Sequence, residues 1–357
     1  MASDVFMAKV GNGDTDTTIA QKLDDLIDRS GVLGFLKKGD YTGIKIHFGE
    51  EGNTGHIKAD WLKGLIERLR AITNNIFFTD TNVLYKQSKR TNTVDHLKLA
   101  YNHGFGFQKM GVPVIIADGL FGRNYTDVEI NKRHFSKVKM ASDITDCDSL
   151  LALTHITGHI LTGFAGAIKN LGMGCASRRG KFEQHCGIVP DFNPAECVGC
   201  GLCVSNCPAN AITLSKGKAK MDGEKCIGCG ECVVVCRTEA LNAKWSETLA
   251  NLQEKMVEYA YGAVKSVDRK IGYINFLINV TKDCDCLAKD DPSIIEDAGI
   301  LASNDLVSID LASAEILKSL NKKDVFRREY PEIDWTVQLK YAAAMGLGKT
   351  DYRLITI

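Results

Sequence analysis

CVGCGLCVSNCP, residues 197–208, sets Cys197, Cys200, Cys203 and Cys207 before Pro208, and CIGCGECVVVC, residues 226–236, repeats the spacing with Cys226, Cys229, Cys232 and Cys236. The first run has the C-x2-C-x2-C-x3-C-P spacing of the bacterial two-cluster ferredoxins. The second follows 29 residues later, and the offset holds for all four cysteines. Gly199 and Gly201 map onto Gly228 and Gly230, and Ala211-Ile212 onto Ala240-Leu241. Such a repeat implies two copies of one unit packed about a pseudo-twofold axis.

The spacing has a physical cause. Three thiolates on one tight loop reach three corners of an iron–sulfur cubane, and a fourth cannot. Small glycines let the loop wrap close, with backbone N–H groups aimed at the sulfides. The fourth cysteine crosses to the other cluster. The expected ligand sets for two [4Fe–4S] clusters are therefore Cys197, Cys200, Cys203 and Cys236 for one, and Cys226, Cys229, Cys232 and Cys207 for the other. Pro208 ends the first turn; Arg237 replaces it in the second run and leaves the thiolates in place. Zinc also takes four thiolates, but zinc ribbons pair two distant knuckles rather than a duplicated three-plus-one run.

Outward from this module, the composition is that of an ordinary globular chain: 357 residues, 45% hydrophobic and 25% charged. Forty-four basic residues balance 44 acidic ones, so no global field steers the chain toward nucleic acid or a membrane surface. No apolar stretch has the length of a membrane span, and MASDVFMAKV has no signal-peptide pattern. A cytoplasmic protein is expected. Eight of the 13 cysteines fall between positions 197 and 236, which suits metal ligation in a reducing, anaerobic setting better than a disulfide frame.

On either side of the module, strand-like runs alternate with amphipathic helices. GIKIHFG (43–49), IFFTD (76–80), PVIIAD (113–118), LLALTHI (150–156) and GYINFLINV (272–280) read as buried strands. Ile19, Leu23, Leu26 and Ile27 recur at helical spacing, as do Leu62, Leu65, Ile66 and Leu69; 247–264 and 305–320 read as further helices. This predicts an α/β fold: a discontinuous, mostly parallel sheet domain (1–189 plus 244–357) with an inserted ferredoxin-like α+β domain (190–243). Strand order does not follow from the pattern.

Several long motifs carry a family resemblance: KIHFGEEGN (45–53), FTDTNVLY (78–85), VIIADGLFG (114–122), HITGHILTGFAGAIKNLGMGCASRRGK (155–181), INFLINVTKDCDC (274–286) and GILASNDLVSIDLAS (299–313). The sequence resembles the prokaryotic iron–sulfur centre proteins of the domain of unknown function 362. The resemblance implies an α/β domain with an inserted two-cluster ferredoxin, and it supplies no reaction.

Outside the module, Cys284-Asp285-Cys286 lies just past a buried strand, where two thiols and a carboxylate can converge on a metal or a thiolate can act as nucleophile. Buried cysteines also pack as small hydrophobes, which is the plainer reading. Cys175, Cys186 and His185 are candidates to complete such a site, and Cys147 reads as structural. His155 and His159 are either a metal pair or hydrogen-bonded histidines lining a cleft; there is no H-E-x-x-H glutamate. Lys169, read as the end of a small-residue helix GFAGAIKN, either binds an anionic substrate or is solvated. Arg178-Arg179-Gly180-Lys181 is a candidate anion site or a docking patch for an acidic redox partner. No dinucleotide or Walker fingerprint is present.

The expected function is that of an iron–sulfur oxidoreductase. Low-potential electrons pass from a redox partner protein or other donor through the clusters to a small-molecule substrate, flavin or additional metal in the α/β domain. Cys284, Cys286, His155, His159 and Lys169 are the candidate reacting residues. The alternatives are a non-catalytic redox or oxygen sensor, and a metal- or cluster-transfer protein using Cys284 and Cys286.

Overall fold

Eight strands build one sheet: β1 (Ser3–Lys9), β2 (Thr42–Lys45), β3 (Ile76–Asp80), β4 (Val114–Ile116), β5 (Ser149–His155), β6 (Ile271–Leu277), β7 (Gly299–Ser303) and β8 (Tyr352–Thr356). Their order across the sheet is β8-β1-β7-β6-β5-β2-β3-β4. Pairing is parallel from β6 through β5, β2 and β3 to β4, and between β8 and β1. Only β7 runs against its neighbours, β1 and β6. The structure is a computed structural model that describes residues 2–11, 13–84, 88–185, 189–226, 230–238, 240–242 and 247–357. Cys186, Cys229 and Lys244, the return point expected for the α/β domain, lie outside the described residues.

The central strands are buried from end to end because both faces are covered. Side chains alternate across a strand, so a strand packed on both faces must be apolar at odd and even positions alike. β5 shows this: Leu150 and Ala152 enter one apolar core, Leu151 and Leu153 the other. On the Leu151 side lie α1 (Asp16–Ser30) and α2 (Lys63–Ile72), which bury Leu23, Leu26, Leu65 and Leu69. On the Leu150 side lie α6 (Leu249–Ser266) and α7 (Leu306–Asn321), with Met256, Ala260, Ile309 and Leu317. Side-chain oxygens cap these helices: Thr15 accepts from the Thr18 N–H, Thr248 from Asn251 and Asp305 from Ser308.

Three shorter helices shape the carboxyl edge of the sheet: α3 (Thr93–Ala100), α4 (Ala167–Gly172) and α5 (Arg178–His185). Here the structure corrects one sequence expectation. GFAGAIKN is not a single helix: Gly163–Ala165 is a strand paired with Thr157–His159, and α4 begins at Ala167, placing Lys169 in mid-helix. Asp310 fixes that start by accepting from the Ala167 and Ile168 N–H groups at 2.8 and 2.9 Å.

The cysteine-rich segment leaves and rejoins the domain through a neck in which Asp191–Phe192 pairs antiparallel with Leu241–Asn242. Beyond the neck stand a hairpin, Ile212–Ser215 with Lys218–Met221, and two helical turns, Leu202–Ser205 and Glu231–Val235. Its small apolar centre holds Cys203, Ile212, Ala219, Cys232, Val233 and Leu241, together with Leu84 and Phe182 from the α/β domain. Phe182, on α5, lies so close to the second cysteine run that a Cβ on Gly230 would meet its ring at 2.3 Å.

Candidate functional site: a cationic cleft beside the cysteine module

A cleft of about 110 Å³ opens at the carboxyl ends of β2, β3 and β5. Ligand sites in open α/β sheets form at this edge, where strands stop and the following loops diverge. All five candidate residues outside the module line it: His155, His159, Lys169, Cys284 and Cys286. They arrive from β5, the hairpin after it, α4, and the loop that follows β6.

Cys284 and Cys286 are joined as a disulfide. Between them, Asp285 Oδ2 lies 2.8 Å from His155 Nδ1, and Oδ1 is buried with no hydrogen-bond partner among the described residues. His155 Nε2 faces the Ile278 and Asn279 carbonyls at 2.9 and 3.1 Å. Three acceptors around one imidazole favour its doubly protonated form. Burial works against that charge, but the Asp285 carboxylate and the two carbonyls outweigh it and raise the His155 pKa. Burial likewise opposes the Asp285 charge, and His155 overcomes it, lowering that pKa. The two form a buried ion pair.

His159 plays a different part. Its Nδ1 faces the Leu161 and Thr162 N–H groups at 3.2 Å each, and burial, then Lys169 and His185, hold its pKa well below the ordinary value. One His159 ring nitrogen and the two cysteine sulfurs lie within 4.8 Å of one another, a group that could hold a metal ion only with the disulfide reduced to thiolates. His155 is not part of it, so the two histidines do not form the pair that their spacing suggested.

The wall of the cleft is cationic. Lys45 Nζ lies 3.0 Å from Asp80 and 2.7 Å from Asn170 Oδ1. Arg90 reaches Glu50 at 3.1 Å, His47 at 2.8 Å and the Cys286 carbonyl at 3.1 Å. Lys181 donates to Thr81 and to the Ala176 carbonyl. Lys169 lines the cleft, and its ammonium makes no hydrogen bond or ion pair with any described residue. Burial, followed by the Arg90 charge, pulls its pKa down to about 8.

Two sequence candidates take other roles. Cys175 lies in the apolar core, where burial pushes its thiol up to about 12, and it does not reach the cleft. His185 does line the cleft. Arg178-Arg179-Gly180-Lys181 is not an open docking patch. Arg178 is buried against the Phe121 and Val234 carbonyls, Arg179 pairs with Glu231 at 2.8 Å, and Lys181 faces the cleft. The motif is the joint between module and domain. Lys45 and Arg90 were not singled out by sequence; a lysine inside the apolar run GIKIHFG was the one available signal.

In the module, Cys197, Cys200, Cys203 and Cys236 line one cavity of about 140 Å³. Cys207, Cys226 and Cys232 line a second, smaller one. Cys197, Cys200, Cys203 and Cys207 are not joined in disulfides. Backbone N–H groups already point at two sulfurs, Ala219 at Cys197 and Ala211 at Cys207, at 3.4 and 3.2 Å. Gly199 (φ 69°) approaches the Gly217 carbonyl so closely that a Cβ would sit 2.3 Å from its oxygen.

Fold and site together define an α/β protein with a mostly parallel central sheet, a cationic cleft at its carboxyl edge, and a cysteine-rich module docked beside that cleft. The chain belongs to the family described as "Domain of unknown function (DUF362)", which matches residues 42–315. No curated protein matches it. Among solved structures it is similar to the lactate racemase apoprotein from Thermoanaerobacterium thermosaccharolyticum, with 11% identity and a TM-score of 0.41, over 85% of this chain and 57% of that one. It is also similar to a protein from Thermotoga maritima, with 11% identity and a TM-score of 0.39, over 94% and 60% of the two chains. The chain thus spans less than two thirds of the length of either. Among the described residues no helix is long and apolar enough to cross a membrane.

Proposed function

We propose that the chain is an iron–sulfur redox protein that passes low-potential electrons through two [4Fe–4S] clusters to an acceptor in the cleft. The observation that carries this reading is the sorting of the cysteines. Cys236 shares a cavity with the first run, and Cys207 shares one with the second. That crossing is what a two-cluster ferredoxin requires and what two independent zinc knuckles do not. Thiolates of these residues would hold the clusters, which would supply one-electron chemistry at low potential.

The surroundings give the transfer a direction in space. Cys200 is exposed, and beside it Val198 and Leu214 are apolar side chains at 71% and 47% exposure, suited to a protein donor. The second run is turned inward, with Gly230 against Phe182 and with Leu84 belonging both to the module's apolar centre and to the cleft wall. Leu84 and α5 therefore span the interval between cysteine ligands and cleft.

Metal content of anaerobically purified protein tests the reading, together with EPR of the reduced state. About eight irons per chain and a spectrum of two interacting clusters are expected. Zinc in place of iron would overturn it.

A further inference from the structure

We infer that Cys284 and Cys286 form a redox-active disulfide that takes up two electrons inside the cleft and leaves it with a pair of thiolates. The inference deepens the reading above and rests on it for the source of the electrons.

The first observation concerns what this disulfide does not do. A cross-link stabilises a fold chiefly by removing loop entropy from the unfolded chain, and its contribution shrinks with the loop. Here the loop contains a single residue, Asp285. Structural stapling is a weak reason for its presence. Cys147, Cys175, Cys197, Cys200, Cys203 and Cys207 are not joined in disulfides, so oxidation is not general among the described cysteines.

The second observation is position. Both sulfurs stand on the cleft wall, as does Leu84, which also packs into the module's apolar centre. A structural disulfide gains nothing from this address, whereas an electron acceptor needs it.

The third observation is charge. Lys45, Arg90, Lys169 and Lys181 line the cleft against the carboxylates of Asp80 and Asp285. Arg90 holds the Cys286 carbonyl at 3.1 Å, and the Lys169 ammonium has no partner among the described residues. A cationic surrounding favours thiolate over thiol, and stabilising the reduced form makes a disulfide a better oxidant. The cleft therefore favours the product of reduction.

The step balances without further reagents. The S–S bond accepts two electrons and breaks, and each sulfur leaves as a thiolate facing the cationic wall. Two [4Fe–4S] clusters held by the module's cysteines would supply one electron each, and an external low-potential one-electron donor would refill them. Cleavage itself consumes no proton.

The test is thiol trapping on anaerobically purified protein with its iron in place. The chain is photoreduced with a deazaflavin, quenched with iodoacetamide, and digested for mass spectrometry. Two added carbamidomethyl groups are expected on the peptide carrying 284 and 286, with none before reduction and none in cluster-stripped protein. When only two electrons per chain are supplied, the double variant Cys284→Ser, Cys286→Ser should keep the EPR signal of reduced clusters, whereas the wild type passes those electrons to the disulfide and shows none. Reduced clusters beside an unlabelled peptide would overturn the inference and leave the electron-transfer reading standing without this acceptor. A peptide labelled in the protein as isolated, or opened by a phosphine but not by photoreduction, would also overturn it. Protein without iron would sink the reading beneath.

Discussion

His155 Nδ1 lies 2.8 Å from Asp285 Oδ2, in a cleft where the same imidazole also donates to two backbone carbonyls. The pair is 4% and 6% exposed at its side chains, so neither partner has water to fall back on. Removing one partner of a buried ion pair costs about 3–5 kcal/mol. Asp285→Asn should lower stability by that order, measured by chemical denaturation near pH 6.

The same pair sets a pH window. Asp285 has a lowered pKa, so its contribution is present above the ordinary carboxylate value and is lost as pH falls through the folded value. His155 has a raised pKa, so its contribution is complete below the ordinary imidazole value and is lost as pH rises through the folded one. The stability gap between wild type and Asp285→Asn should therefore be widest between about pH 4 and 6.5 and shrink on both sides. A gap that does not vary with pH would contradict the ion pair.

Lys169 shows the opposite linkage. Its pKa falls to about 8, so between there and the ordinary lysine value, about 10.4, the unfolded chain binds more protons than the folded one. Stability should rise with pH across that interval, and Lys169→Met should flatten the rise. Acetylation mapped by mass spectrometry offers a second readout. Lys169 should react with a midpoint near pH 8, ahead of surface lysines.

The two cysteine quartets should fail separately. Cys203→Ser should remove one cluster and Cys232→Ser the other, each taking iron from about eight to about four per chain. Either variant that loses all iron at once would show that the two halves assemble as one unit.

Val198 tests the donor's approach. Val198→Lys should leave reduction by dithionite unchanged and raise the apparent KM for a protein donor several-fold, because a desolvated charge now sits where an apolar contact formed. Equal rates with both donors would place the donor elsewhere.

Much of the fold could be read in advance because burial on both faces leaves a plain signature. LLALTHI and GYINFLINV carry apolar side chains at odd and even positions alike, and α1 and α2 carry their leucines at helical spacing. Strand order was not readable, since nothing in GILAS says that β7 will run backwards between β1 and β6. In the site, cysteine and histidine gave themselves away by residue type and spacing. Lys45 and Arg90 did not, because a buried cation is defined by the partner it meets, and Asp80 and Glu50 lie 35 and 40 residues away in sequence. The basic motif at 178–181 misled for the same reason: its partners are carbonyls and Glu231.

The neck between Asp191–Phe192 and Leu241–Asn242 has a consequence for how such a chain could come to exist. Its two strands are hydrogen-bonded neighbours, with Phe192 opposite Leu241, so the points of exit and return stand about 5 Å apart. A gap that small can be closed by a turn of two residues. No strand of the eight-stranded sheet begins or ends within the excised stretch. Excision of the cysteine-rich stretch at this neck would leave two apolar side chains, Leu84 and Phe182, facing water.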